Sequence, residues 1–120
     1  LNTESVKISG LGDRFYDKLT QSERAQDGDL LLTEGMDRIY TAPAAAVTFT
    51  NGYETVQLNN GNANSVVVWN PWDKIAANMP DFDSDRWPTM VCIETAVTGE
   101  GVVVAAGEEH TLSATLRYLA

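Results

Sequence analysis

An antiparallel β-sandwich is the fold class that this 120-residue sequence predicts, as one domain over residues 1–120. Three observations carry the expectation. Short β-rich runs recur along the whole chain, with glycine and asparagine turns between them. Asn51-Gly52 stands between two such runs, and Asn-Gly is the strongest short-range hairpin signal because both residues can adopt positive φ. Only residues 72–78 carry helix-start signals, with Asn70 as N-cap and Pro71 at the first helical position, where a missing N–H costs nothing.

In chain order, residues 4–11 alternate through Val6 and Ile8 into a first strand that the glycines at 10 and 12 end, and residues 14–19 make a short second one. Residues 20–29 are polar without periodicity and read as a surface loop. Residues 30–32 begin an apolar segment that leads to Asp37-Arg38-Ile39-Tyr40. Residues 47–49 and 55–58 are the arms of the hairpin, residues 59–64 form a further turn, and the chain is expected to continue as a meander into a strand from Ser65 to Trp69. Val66, Val67 and Val68 are apolar at both parities, which predicts a strand covered on both faces. Met79-Pro80 stops the short helix, residues 81–88 form an acidic loop, and residues 89–97, 102–105 and 110–118 supply the last strands.

The formal net charge of -9, with eight Lys and Arg scattered along the chain, argues against nucleic acid as a partner, because phosphate binders gather cations on one face. No apolar run approaches the ~20 residues of a membrane helix, so no membrane partner is expected. The single cysteine, Cys92, permits no internal disulfide, and no signal-peptide pattern opens the sequence; both fit a reducing, cytoplasmic compartment. Leu1 in place of an initiator methionine implies a chain that has been trimmed, processed or cut from a longer one.

Within residues 89–97 one face carries Met90, Cys92, Glu94 and Ala96, so Glu94 shares its side with a thioether, a thiol and a methyl. Burial there would raise its pKa toward the range where a general base works best near neutral pH. Glu94 is therefore expected to be the most perturbed carboxylate of the chain, on a concave rim shared with Trp69 or Asn70. A strand-end glutamate that reaches solvent or pairs with an arginine fits the same spacing. Trp69-Asn70-Pro71-Trp72 delivers indole edges and an amide to one rim, the furnishings of a sugar pocket, although Trp69 on a buried strand suits the core equally well. Asp37-Arg38 beside Tyr40 either offers a carboxylate to a sugar hydroxyl or makes a surface ion pair. Asp81, Asp83 and Asp85 imitate the opening of a calcium loop, but Arg86 stands where the turn glycine belongs and Cys92 where the bidentate glutamate belongs, so that motif is rejected and no metal is expected. His110, the single histidine, follows Gly107-Glu108-Glu109 and suits a turn or cap better than catalysis.

Several blocks, in this order, resemble the C-terminal part of the hexose-6-phosphate mutarotases: Gly10-Leu11-Gly12-Asp13 with Tyr16-Asp17-Lys18, Asp37-Arg38-Ile39-Tyr40, Val67-Val68-Trp69-Asn70-Pro71-Trp72, Met90-Val91-Cys92-Ile93-Glu94-Thr95-Ala96, and Gly107-Glu108 with His110-Thr111-Leu112-Ser113. These enzymes are the glucose-6-phosphate 1-epimerase branch of the galactose mutarotase-like family. The resemblance implies a large antiparallel β-sandwich and a cofactor-free interconversion of the α and β anomers of an aldose or hexose 6-phosphate. In that reaction a carboxylate takes the proton of the anomeric hydroxyl while a histidine protonates the ring oxygen; the ring opens, the aldehyde rotates and the ring closes again. The resemblance places the base on Glu94 and a sugar-hydroxyl contact on Asp37, in a sugar-facing site completed by Trp69 and Asn70. The family's catalytic histidine belongs to a His-Thr-Tyr block absent from these 120 residues, as are its phosphate-holding arginines. Two outcomes are thus open: an isomerase fragment that holds the base without its acid and is inactive alone, or a naturally short, non-catalytic sugar-binding or protein-interaction module. Either is expected to self-associate, most simply as a two-fold homodimer, because strands cut from a larger sandwich leave edges and apolar faces open.

Overall fold

The alternating segments pair into ten strands, described over residues 5–120 by a computed structural model. In chain order they are β1 (Lys7–Ser9), β2 (Arg14–Asp17), β3 (Ser22–Ala25), β4 (Leu30–Leu31), β5 (Met36–Tyr40), β6 (Ala46–Thr50), β7 (Thr55–Gly61), β8 (Ser65–Asn70), β9 (Cys92–Ala96) and β10 (Ser113–Tyr118). Helix α1 (Trp72–Ala77) and a single 3-10 turn (Trp87–Thr89) lie between β8 and β9. Two five-stranded sheets result, ordered β10-β7-β6-β1-β4 and β3-β2-β5-β8-β9, and every pairing is antiparallel. The sandwich expected from the sequence is therefore the fold. Among the described residues no helix is long and apolar enough to cross a membrane.

The core lies between the sheets, where the inward parity of each strand delivers Ile8, Met36, Tyr40, Val47, Val66 and Val68, all buried. Val67 points the other way and is only half-buried, so the valine run is covered on one face rather than two. The β6–β7 hairpin forms as predicted, but by different turn chemistry. Gly52 alone takes positive φ (+92°), while Asn51 works through its side chain, whose Oδ1 accepts the Tyr53 and Glu54 amides at 3.0 and 2.8 Å.

Other local expectations change. The polar stretch at residues 20–29 contains β3, an exposed edge strand that pairs with β2 from Arg14↔Ala25 to Asp17↔Ser22. β7 runs on to Gly61, and β8 then joins the opposite sheet, so the meander is broken at that corner. Residues 102–105 form no strand and are exposed, and the last strand begins at Ser113 rather than at residue 110. Helix α1 takes Pro71 as its N-cap, one residue later than predicted. Trp72 opens it at φ +60°, a left-handed conformation that costs an indole residue on the order of 1–3 kcal/mol. Gly35 makes room for it: a Cβ there would stand 2.9 Å from the Trp72 Cβ.

The sandwich is open at one end. An apolar cleft of about 360 Å³ lies between Val47, Phe49, Val56, Leu58 and Leu116 of the first sheet on one side and Ile93 of the second sheet with Thr89–Val91, the segment that leads into it, on the other. All six residues of β10 are exposed, including Leu116 at 72% and Tyr118 at 64%.

At the other end, Asp17 closes the turn from β2 to β3. Its side chain, 6% exposed, accepts the Leu19 and Thr20 amides (2.9 and 3.4 Å) and the Arg24 guanidinium (2.8 Å). Burial alone would raise the carboxyl, but those donors outweigh it and hold its pKa below the ordinary 3.8. A folded-state value that is depressed contributes stability above the ordinary carboxylate value, and that stability is lost as pH falls through the folded value. Urea unfolding followed from neutral pH into acid should show this loss, and Asp17→Asn should flatten it while costing about 1.5–3 kcal/mol at neutral pH. An unchanged acid limb in the variant would refute the assignment.

Candidate functional site

The outer face of the second sheet collects the sequence-predicted site residues, with one exception. Directly opposite residues of antiparallel strands share a face, and the register sets Asp37 of β5, Trp69 of β8 and Cys92 of β9 in one row. The next row runs Tyr16, Ile39, Val67, Glu94 across β2, β5, β8 and β9. Glu94 is thus diagonal to Trp69. From strand spacing and rise, its Cα lies about 12 Å from that of Asp37, a gap that a hexose with its hydroxyls can span when both side chains lean inward.

Glu94 is exposed, which corrects the expectation of a carboxylate buried among apolar groups. Parity grouped it with Cys92 correctly, but that face is the outer one; Val91 and Ile93 are the residues that pack on the core. The neighbouring thiol registers the arrangement: partial burial pushes the Cys92 pKa up, and the negative charge of Glu94 adds to the rise. Cys92 accordingly stays protonated near neutral pH and is a poor nucleophile.

Asp37 projects onto the same face, where Lys18 Nζ approaches its Oδ2 at 3.4 Å; the Lys18 amide also donates to the Asp37 carbonyl at 2.9 Å. The adjacent Arg38 points inward, so the two do not pair. Arg38 instead lies 4.3 Å above the Phe15 ring and reaches Glu34 Oε1 at 3.2 Å. Tyr40 is also internal and donates its hydroxyl to Gln26; burial raises its pKa, against the lowering influence of Arg38.

Trp69 meets Phe82 edge-on, with ring centroids 6.4 Å apart and planes at 82°. The segment after α1 thereby walls one end of the outer face, while Trp72 and Trp87 pack on each other at 4.4 Å and do not join Trp69. Asn70 is the exception. Only 1% exposed, its Nδ2 donates to the carbonyls of Trp87 (2.9 Å) and Met90 (2.8 Å), and its Oδ1 accepts the Trp72 amide (2.8 Å). Its amide is consumed in holding the chain that enters β9, whose far side is tied to the first sheet by the Thr95 hydroxyl donating to Asn60 Oδ1 at 2.6 Å.

His110 lies in the exposed segment before β10, on the edge of the opposite sheet. Lys18 and Phe82 complete the face yet were not singled out from the sequence. Lys18 could have been found as the residue two beyond Tyr16 on one strand parity. Nothing local marks Phe82.

The family model described as aldose 1-epimerase matches residues 2–117. A Salmonella typhimurium protein named "Putative glucose-6-phosphate 1-epimerase" is 34% identical over 95 residues, covering 76% of this chain and 32% of its own length. A protein of the same name from Escherichia coli is 29% identical over 116 residues, covering 93% and 40%. The crystal structure of a "putative mutarotase" from Salmonella typhimurium superposes with a TM-score of 0.75 at 33% identity, over 81% of this chain and 35% of that one. A second solved structure, 23% identical, shares the fold with a TM-score of 0.82 over 97% of this chain and 42% of its own. The chain thus spans well under half the length of the relatives it matches. The match along nearly its whole length nevertheless decides the grouping: this chain belongs to the aldose 1-epimerase family.

Proposed function

We propose that this chain carries the base side of an anomer-interconverting site for an aldose or hexose 6-phosphate. Glu94 takes the proton of the anomeric hydroxyl, Asp37 binds ring hydroxyls in exchange for Lys18, and Trp69 offers its indole to the apolar face of the sugar. The observation that carries the reading is the register that sets Asp37, Trp69 and Glu94 on one solvent-facing sheet surface. Asn70 positions this surface from beneath. An exposed carboxylate is free to accept a proton, but opening the ring also needs a proton delivered to the ring oxygen, and no histidine stands in these two rows. The chemistry is proton transfer and calls for no cofactor. The single thiol and absence of disulfides fit a reducing, cytoplasmic setting. A second reading, self-association through β10, is supported by the exposed Leu116 and Tyr118.

An NMR titration with glucose 6-phosphate and with glucose tests the site. Binding should move the Trp69 indole signal and be weakened in Trp69→Ala and Asp37→Ala, but retained in Glu94→Gln. Anomer exchange in the same tubes should not be accelerated by the chain alone, since one partner of an acid/base pair is worth roughly 10²–10⁴-fold. Turnover that vanishes in Glu94→Gln would place the acid on a second copy. No sugar response at Trp69, or turnover indifferent to Glu94, would overturn the proposal.

A further inference from the structure

The sequence contains two Asn-Gly pairs, Asn51-Gly52 and Asn60-Gly61, and the fold treats them oppositely. We propose that Asn51 is a site of spontaneous deamidation and isoaspartate formation, and that the sheet protects Asn60 from the same reaction.

The chemistry requires the backbone nitrogen of the following residue to reach the side-chain carbonyl carbon. The Gly52 nitrogen gives up its proton and bonds to Asn51 Cγ; the Cγ–Nδ2 bond breaks and ammonia leaves with that proton, giving a cyclic imide. Water then opens either imide C–N bond, yielding aspartate or isoaspartate. No oxidant or other co-reactant is needed.

At the hairpin tip the surroundings favour this reaction. Gly52 is exposed, lacks a Cβ that would hinder the approach, and already takes φ +92°. Its amide is held only by an exposed bond to Thr50 Oγ1 at 3.2 Å, which water can replace. The Tyr53 and Glu54 amides donate to Asn51 Oδ1 and draw charge from Cγ, whereas the departing Nδ2 has only a 3.5 Å contact with Glu54 Oε2 in solvent.

Asn60 is locked. It lies within β7, donates its amide to the carbonyl of Ala45, just before β6, at 3.0 Å, and stands opposite Ala114 of β10, while Gly61 pairs with Ser113. Its Oδ1 accepts the Thr95 hydroxyl at 2.6 Å and its Nδ2 is buried. Imide closure needs a ψ far from the extended value of about +135°, and reaching it would break the ladder on both sides of β7.

The products differ in consequence. Aspartate at position 51 keeps acceptors for the Tyr53 and Glu54 amides and adds one negative charge beside Glu54. Isoaspartate inserts a main-chain carbon into the turn and disturbs the Thr50↔Thr55 register.

The test is peptide mapping of the whole chain after incubation in mildly alkaline buffer, with fragmentation that separates aspartate from isoaspartate, in parallel with a sample unfolded in urea. In the folded chain Asn51 should convert roughly tenfold faster than Asn60, or more. In urea the two should convert at comparable rates, which shows that the fold makes the difference. Asn51→Gln should remove the modified species from the folded chain. Should that variant fail to fold, the wild-type contrast between folded and unfolded samples decides alone. Equal conversion at both sites in the folded chain, or an Asn51 that stays intact when folded but converts in urea, would overturn the proposal.

Discussion

Asn70→Asp is expected to destabilise the chain by about 3–5 kcal/mol, a large share of the ~5–15 kcal/mol that holds an ordinary domain folded, although it exchanges groups of nearly equal size. In the native fold both Nδ2 protons have carbonyl acceptors and Oδ1 has the Trp72 amide, so the buried carboxamide is fully satisfied. The aspartate would turn an oxygen toward the carbonyls of Trp87 and Met90, where no proton is available, and would bury a charge with no cation beside it. Asn70→Ala leaves two carbonyls and one amide unpaired instead and should cost less. Chemical denaturation of the two variants tests the ranking; a cost for Asn70→Asp of about 1 kcal/mol or less, within reach of ordinary substitutions, would show that the lock is not needed. Sugar binding should fail with it, because the lock fixes Met90 and hence the entry of β9, the strand that carries Cys92 and Glu94 beside Trp69 and Val67.

Asn70 also shows what a sequence hides. An asparagine between two tryptophans has the right chemistry for a sugar site, but whether its amide faces the ligand or the backbone depends on partners at residues 87 and 90, which no local pattern reveals. Strand parity had the same strength and weakness. It identified the residues that accompany Glu94, since side chains alternate strictly along a strand, but not which of the two faces turns inward. The core side of β9 is set by Val91 and Ile93 packing on the opposite sheet, a tertiary fact.

Fold elements with an apolar face or a defined turn were legible: the Asn51-Gly52 hairpin, β2, β8 and β9. Those whose structure depends on a neighbour were not. β3, Ser-Glu-Arg-Ala, has no buried residue and exists because β2 offers it an edge, with Glu23 and Arg24 guarding its own outer side. Val102, Val103 and Val104 have every β propensity yet form no strand, and Val103 is 94% exposed. Propensity of that kind reflects the fit to a pleated, half-buried surface, which this segment does not find within the chain.

Two copies are expected to associate through β10. Of the four sheet edges among the described residues, β3 carries exposed charges, β4 is two residues long and β9 carries Glu94, whereas β10 has six residues, one charge (Arg117) and no acid. Residues 110–120 contain no Asp or Glu, although the chain as a whole carries -9, so this is the surface on which two copies meet with the least repulsion. Antiparallel pairing of β10 with its symmetry mate would satisfy the free edge and bring Leu116 and Tyr118 of each copy under cover about a two-fold axis. Burying the exposed part of Leu116 in both copies is worth about 2–4 kcal/mol, so Leu116→Lys should raise the dissociation constant roughly 30- to 700-fold. Because Leu116 is already exposed in the single chain, the variant should keep its fold, as unfolding curves can verify. Sedimentation equilibrium at micromolar concentration should find twice the 13.1 kDa chain mass for the wild type and 13.1 kDa for the variant; a wild-type chain that sediments at 13.1 kDa throughout would dispose of the dimer.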